Sequence, residues 1–254
     1  MTKIHPTAIL EEGAQLGEEV EVGPYCHIGS QVTLGDRSRL HSHVVVQGPT
    51  TLGADNEIYP FSCIGGAPQD LKYKGEETIL VVGDGNVIRE CVTIHRGTVQ
   101  GGGITRVGSQ GLFMGYIHIA HDCTVGDHVI LANYTGLSGH VTVGNYVTLG
   151  GQNGVAQFTR VGDYVYTGAG SLIDRDIPPY TTGWGNRFEV KGVNIVGLKR
   201  RGFSNEAIRD ILEAHRIYYR TERKHEDALK TIQEAFDQQP EIQKFLDFLS
   251  QKSS

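Results

Sequence analysis

The sequence predicts a mainly β protein: a parallel β-helix of hexapeptide repeats over residues 1–190, followed by a small α-helical domain over residues 191–254. Three observations carry that expectation. Apolar residues recur every six positions through most of the chain, 33 of its 34 glycines lie before residue 199, and apolar stripes at helical spacing begin after it. At 254 residues, 39% apolar and 20% charged, the chain can bury a real core.

The repeat is explicit. Stepping by six from Ile4 meets Leu10, Leu16, Val22, Ile28, Leu34, Leu40, Val46, Leu52, Ile58 and Ile64. A second run starts at Val107, one residue out of phase, and continues through Phe113, Ile119, Val125, Leu131, Leu137, Val143, Leu149, Val155 and Val161 to Thr167 and Ile173. Four positions after the anchor there is often a small or β-branched residue, such as Cys26, Val32, Val44, Cys123, Val141 or Ser171. In a hexapeptide solenoid both positions point inward, glycine after the anchor lets the chain turn tightly, and coils must stack to bury the anchors. Sandwiches and barrels place strands every 8–12 residues, which does not fit a strict six. Residues 66–81 and 95–106 leave the register and are expected to be external loops.

The tail reads as helices. Ser204 is a candidate N-cap with Glu206 in the first turn, followed by Ile208, Ile211, Leu212 and Tyr219. A second helix is expected over 225–237 and a third after Pro240, with Ile242, Phe245, Leu246 and Leu249 as its stripe. Lys199, Arg200 and Arg201 precede the first of these; as bare sequence they read as a solvated turn, or as a receptor for phosphate or an acidic protein.

Several classes are excluded. No apolar run approaches the roughly 18 residues that span a bilayer, so no transmembrane segment is expected, and MTKIHPTAIL is too short and polar for a signal peptide. Cys26, Cys63, Cys91 and Cys123 lack CxxC spacing and read as reduced thiols of a cytoplasmic protein. A net charge of −6 argues against nucleic acid as a partner. The triple glycine 101–103 lacks the strand–helix context of a dinucleotide loop.

With 18 residues per coil, His121, Gly139 with His140, and Gln157 form a ladder up one corner, and His118 lies close by on the outer face. A stacked set of this kind suits a general base, because imidazole titrates near neutral pH. Asp122 is the nearest carboxylate in sequence, but neighbours on a strand point apart. A zinc site built from three imidazoles is the other functional reading. Asp70 and Lys72, in the first loop, read as solvated charges or as partners for sugar hydroxyls.

The stretches IHPTAI (4–9), GAPQDLKYKGE (66–76), TIHRGTVQGGG (93–103), HIAHDCTVG (118–126), LSGHVTVG (137–144), DIPPY (176–180) and GVNIVGLKRRGF (192–203) span nearly the whole chain. In them the chain resembles the UDP-N-acetylglucosamine 3-O-acyltransferase family of lipid A synthesis. The resemblance implies a left-handed β-helix, an exception to the usual right-handed crossover, assembled as a homotrimer. It implies transfer of an (R)-3-hydroxyacyl group from acyl carrier protein to the 3-hydroxyl of UDP-N-acetylglucosamine, with no metal or other cofactor. By the same resemblance His121 is the general base and the Gly139 amide stabilises the oxyanion. Gln69, Asp70, Leu71, Lys72 and His118 contact the sugar, and His140 and Gln157 line its pocket. Asn194 and Arg201 meet the nucleotide, Arg200 the nucleotide or the carrier, and Ala169 sets acyl length.

The chain departs from that family at Ala156, where a histidine is common, and at Val196, where a carboxylate often meets the nucleoside. These departures leave open a 3-amino UDP-sugar as acceptor. An N-acyltransferase and, more distantly, a zinc hexapeptide carbonic anhydrase share the repeat.

Overall fold

The computed structural model describes residues 1–236 and 239–251; the last residue of the helix expected over 225–237, and residues 252–254, lie outside them. Short strands, most of two residues, stack into three sheets of eleven, nine and eight strands, parallel except for the last strand of the first. Each sheet takes every third strand of the chain, so the chain winds as a triangular left-handed β-helix. The anchors from Val22 to Ile64 and from Val107 to Ile173 are buried in one continuous core, together with most residues four positions on. Ile4 is 48% exposed, because the coil it belongs to has a neighbour on one side only.

Strand pairing explains the phase of the repeat. Coils pair with a shift of 18, as in Lys3 with Glu21. Cys63 pairs with Thr93, a shift of 30, so the first insertion adds two whole hexads and the original phase returns. Thr93 pairs with His118, a shift of 25, so the second insertion adds one hexad and one residue. That extra residue is the phase slip. Strands run to Gly66 and restart at Ile79, then run to His95 and restart at Ile104, so both loops are tighter than the apolar pattern suggests.

The turns are made differently from the expectation. The left-handed backbone position at most corners is held by non-glycine residues, among them Tyr25, His43, Asp122, His140 and Phe158, and by glycine at a few, such as Gly85 and Gly170. The glycine after the anchor instead permits close stacking: a Cβ on Gly23 would stand 2.7 Å from the His41 carbonyl oxygen of the next coil.

The β-helix ends in an antiparallel hairpin, Thr181–Trp184 with Glu189–Val193, and helices follow: α1 (Ile195–Arg200), α2 (Asn205–Tyr219), α3 (His225–Ala235) and α4 (Pro240–Ser250). Their core joins Leu198, Ile208, Ile211, Ile232, Ile242 and Phe245 to Tyr180 and Val193 of the hairpin region. Ser204 caps α2 by accepting from the Ala207 amide at 3.0 Å. α1 is a correction, because Lys199 and Arg200 form its last turn rather than a loop. Six residues carry too little periodicity to announce a helix; the Asn194 side chain starts it by accepting from the Gly197 amide. Among the described residues no helix is long and apolar enough to cross a membrane.

Candidate active site

The corner after most strands of the nine-stranded sheet is a tight turn, the two insertions excepted. At Ala120–Cys123 the turn places His121 second and Asp122 third, the latter at φ 60°. This geometry corrects the expectation that adjacent side chains diverge, because the left-handed residue swings its side chain back beside its predecessor. His121 Nδ1 lies 2.8 Å from Asp122 Oδ2. An ionised carboxylate only accepts, so Nδ1 carries the proton and Nε2 is left as the basic nitrogen.

Asp122 is 1% exposed in its side chain and would be costly as a lone charge. It is compensated by Thr98, whose amide donates to Oδ1 at 2.7 Å and whose hydroxyl donates to Oδ2 at 2.6 Å. His140, one coil on, stands edge-on to His121 with ring centroids 5.2 Å apart and is stacked on Phe158. Gly139 is required by close approach: a Cβ there would stand 2.6 Å from His121 Cε1 and 2.9 Å from Nε2. As second residue of its turn, Gly139 has an amide that finds no acceptor among the described residues. The Gly139 backbone is thus packed against the His121 ring, and an N–H without an acceptor is of the kind that can donate to a developing oxyanion.

These groups open onto a cleft of about 560 Å³ lined by Gln69, His118, His121, Gly139, Gln157 and Asp174, with Ala156 at its edge. Gly136 and Gly154 form its floor between His118 and Leu172 on the sheet's outer face. A Cβ on Gly136 would touch nothing, so glycine there keeps the floor low rather than relieving a clash. His118 accepts or donates at 2.7 Å with Thr93 Oγ1, and burial followed by the neighbouring His121 lowers its pKa. Behind it His95 meets His118 edge-on at 4.8 Å; burial first, then His118, His121 and Arg96, push it down to about 4.

A cation is the other possible occupant of the corner, since ligand atoms of His121, Asp122 and His140 lie within 4.8 Å of one another. The set holds two imidazoles and a carboxylate, not three imidazoles. Its donors fit a metal poorly, because Asp122 is already engaged on both oxygens by Thr98 and His121.

The profile described as Udp N-acetylglucosamine O-acyltransferase, Domain 2, matches residues 176–254. The UDP-N-acetylglucosamine O-acyltransferase (LpxA) of Moraxella catarrhalis is 45% identical, covering 97% of this chain and 96% of that one, with a TM-score of 0.95. LpxA from Acinetobacter baumannii is 44% identical over 99% of this chain and 98% of its own, at a TM-score of 0.96. The chain belongs to the LpxA acyltransferase family. Even the Arabidopsis UDP-N-acetylglucosamine acyltransferase is 33% identical over 96% of this chain and 94% of that one, with a TM-score of 0.83.

The remaining residues singled out in this LpxA-type sequence divide into two groups. Asp70, Leu71 and Lys72 lie on the first inserted loop near Gln69. Asp70 accepts from the Lys72 amide at 2.9 Å, and Leu71 is 96% exposed. Asn194, Arg200 and Arg201 lie elsewhere, on a different edge of the prism. Arg201 caps α1 and sits over the Tyr146 ring at 4.7 Å, while Asn194 Nδ2 donates to the Tyr164 carbonyl at 2.9 Å. Val196 is an exposed residue of α1, and Ala169 is exposed at a third corner. Within one chain none of Asn194, Val196, Arg200, Arg201 and Ala169 lines the cleft. Sequence reasoning missed Gly136, Gly154, Leu172 and Asp174, although adding 18 repeatedly to His118 and Ala120 points to all four. For Thr98 no such signal exists, because it lies in an insertion outside the repeat.

Proposed function

We propose that this chain transfers an (R)-3-hydroxyacyl group from acyl carrier protein to the 3-hydroxyl of UDP-N-acetylglucosamine, the first step of lipid A synthesis, in the cytoplasm. His121 Nε2 removes the hydroxyl proton as the sugar oxygen attacks the thioester carbonyl. The Gly139 amide donates to the oxyanion of the tetrahedral intermediate. Collapse breaks the carbon–sulfur bond, and the imidazolium returns its proton to the departing carrier thiolate. No covalent enzyme intermediate and no cofactor enter the balance.

The observation that carries this reading is the His121–Asp122 pair at 2.8 Å beside the unpaired Gly139 amide, at the mouth of a cleft. His118, Gln69, Asp70 and Lys72 surround the sugar, with His140 and Gln157 at the corner and Leu71 projecting from the loop. Asn194, Arg200 and Arg201 hold the nucleotide or carrier phosphates, and Ala169 limits the acyl chain. Those four stand on other edges of the prism from His121, which supports a homotrimer in which neighbouring chains complete each site.

The test is an acyl-transfer assay with 3-hydroxyacyl carriers of graded length and two acceptors, UDP-N-acetylglucosamine and its 3-amino analogue. Transfer to the hydroxyl acceptor is expected. Turnover confined to the amine, or none with either acceptor, overturns the assignment.

A further inference from the structure

The second insertion, residues 96–103, lies outside the hexad pattern and has no role in the chemistry above. Its geometry gives it one. The Thr98 amide and hydroxyl both donate to Asp122, at 2.7 and 2.6 Å, and these bonds cross 24 positions of sequence. The Thr98 hydroxyl is held in turn by accepting from the Gly101 amide at 3.2 Å. Gly101 closes over the carboxylate so tightly that a Cβ on it would collide with the Asp122 side chain. Gly102 and Gly103 then take left-handed backbone, φ 95° and 80°, which brings the chain back to the strand at Ile104. Gly101 is thus the lid of a buried carboxylate, and Gly102 and Gly103 carry the chain away from it.

The same insertion grips the first one. The Arg96 amide donates to the Gly66 carbonyl at 3.0 Å, and its guanidinium donates to the Gly65 carbonyl at 2.5 Å and to the Tyr73 hydroxyl at 3.2 Å. Tyr73 in turn donates through its hydroxyl to the Glu76 carbonyl and through its amide to the Asp70 carbonyl.

We infer that residues 96–103 are a positioning element, in which Thr98 and Gly101 hold Asp122, and through it His121, while Arg96 fixes the loop that carries Gln69, Asp70 and Lys72. The inference rests on the reading of His121 as general base. Thr98 touches neither substrate nor reacting atoms; it acts through Asp122. Without the Thr98 hydroxyl, Asp122 Oδ2 keeps the His121 bond and the more distant His140 Nε2 at 3.7 Å, and the carboxylate rotates away from its fixed plane. The orientation of the imidazole then loosens, while the sugar-binding residues are undisturbed. Loss of Arg96 does the reverse.

Thr98→Val keeps the shape and the amide but deletes the hydroxyl; Thr98→Ser restores it. Thr98→Val is expected to lower kcat about tenfold or more, the scale of one hydrogen bond to a buried charge, with KM for UDP-N-acetylglucosamine within about twofold. Thr98→Ser is expected to recover most of that loss. Arg96→Gln is expected to raise KM for the sugar nucleotide severalfold, with a smaller change in kcat. Gly101→Ala should follow Thr98→Val. An unchanged kcat in folded Thr98→Val, or equal loss in the Ser and Val variants, overturns the inference. The downfield proton resonance of His121 Nδ1, lost or shifted in Thr98→Val and retained in Thr98→Ser, tests the positioning without any turnover. If wild-type protein transfers no acyl group yet shows this pattern, the proposed reaction fails and the positioning role stands. If it transfers acyl groups while the resonance is indifferent to Thr98, the opposite holds.

Discussion

The same pair of residue types, an imidazole and a carboxylate 2.8–2.9 Å apart, occurs in two regions of this β-helix with opposite consequences. In the early coils His27 pairs with Glu11, and His41 with Glu57, at 2.9 Å each. Both pairs bridge neighbouring coils on the outer faces, the first exposed and the second half-buried, where water still reaches the contact and the ion pair contributes little. In the coil after the insertions His121 pairs with Asp122 inside a single turn, under a lid, with the carboxylate out of solvent. The repeat is common to both regions, but the early pairs join a strand residue of one coil to a residue of its neighbour. What differs further is an insertion able to cover the later pair, and desolvation turns a surface ion pair into an oriented base.

That contrast can be broken by measurement. The largest effect expected is on turnover: His121→Ala should lose at least ~10²-fold in kcat, the usual scale for a general base, whereas His41→Ala should stay within about twofold. Comparable losses in both would erase the distinction. Next comes the core that both regions share. Ile119→Ala, under the catalytic turn and fully buried, should lower unfolding stability by about 2–5 kcal/mol, while Ile4→Ala in the open first coil should cost under about 0.5 kcal/mol. Denaturant midpoints with a common m-value decide it.

The third expectation concerns pH. His95 behind the site is pushed down to about 4 by burial, from 6.5. Its folded-state value lies below its unfolded one, so the unfolded chain binds the extra proton first. The stability it contributes is complete above 6.5 and is lost as pH falls through about 4. His95→Phe should flatten the stability curve over that window, and a curve of unchanged slope would refute the assignment. The smallest effect expected is at the exposed His27–Glu11 pair. There the Ser30 amide, then His27, hold the Glu11 carboxyl below its usual range, but in full contact with solvent. Glu11→Gln should leave the denaturation midpoint unmoved, and a clear drop would show that surface pairs stiffen the early coils.

Much of the site was legible because the repeat is a ruler. Position 121 plus 18 gives Gly139, and plus 18 again gives Gln157, and these do meet at one corner. The ruler failed in two ways. It treated residue 122 as a strand neighbour of 121, when a corner turn reverses the usual divergence of side chains. It also had no reach into the insertions, whose Thr98–Asp122 and Arg96–Tyr73 contacts join segments with no common period. Asn194, which resemblance assigns to the nucleotide, proves to be tied up within its own chain as the cap of α1 and a donor to Tyr164.

The sequence by itself determined the winding, the inward anchors, the helical tail and the vertical alignment of His121 with Gly139. These follow from local periodicity, since a hexad that cannot bury its own anchor must stack on the next. Only the tertiary structure decided that Asp122 faces His121, that Gly101 closes over that carboxylate, and that Arg201 stands on another edge from the base. Such relations depend on turn conformation and on the path of irregular loops, which close contacts between distant segments select and no repeating pattern encodes.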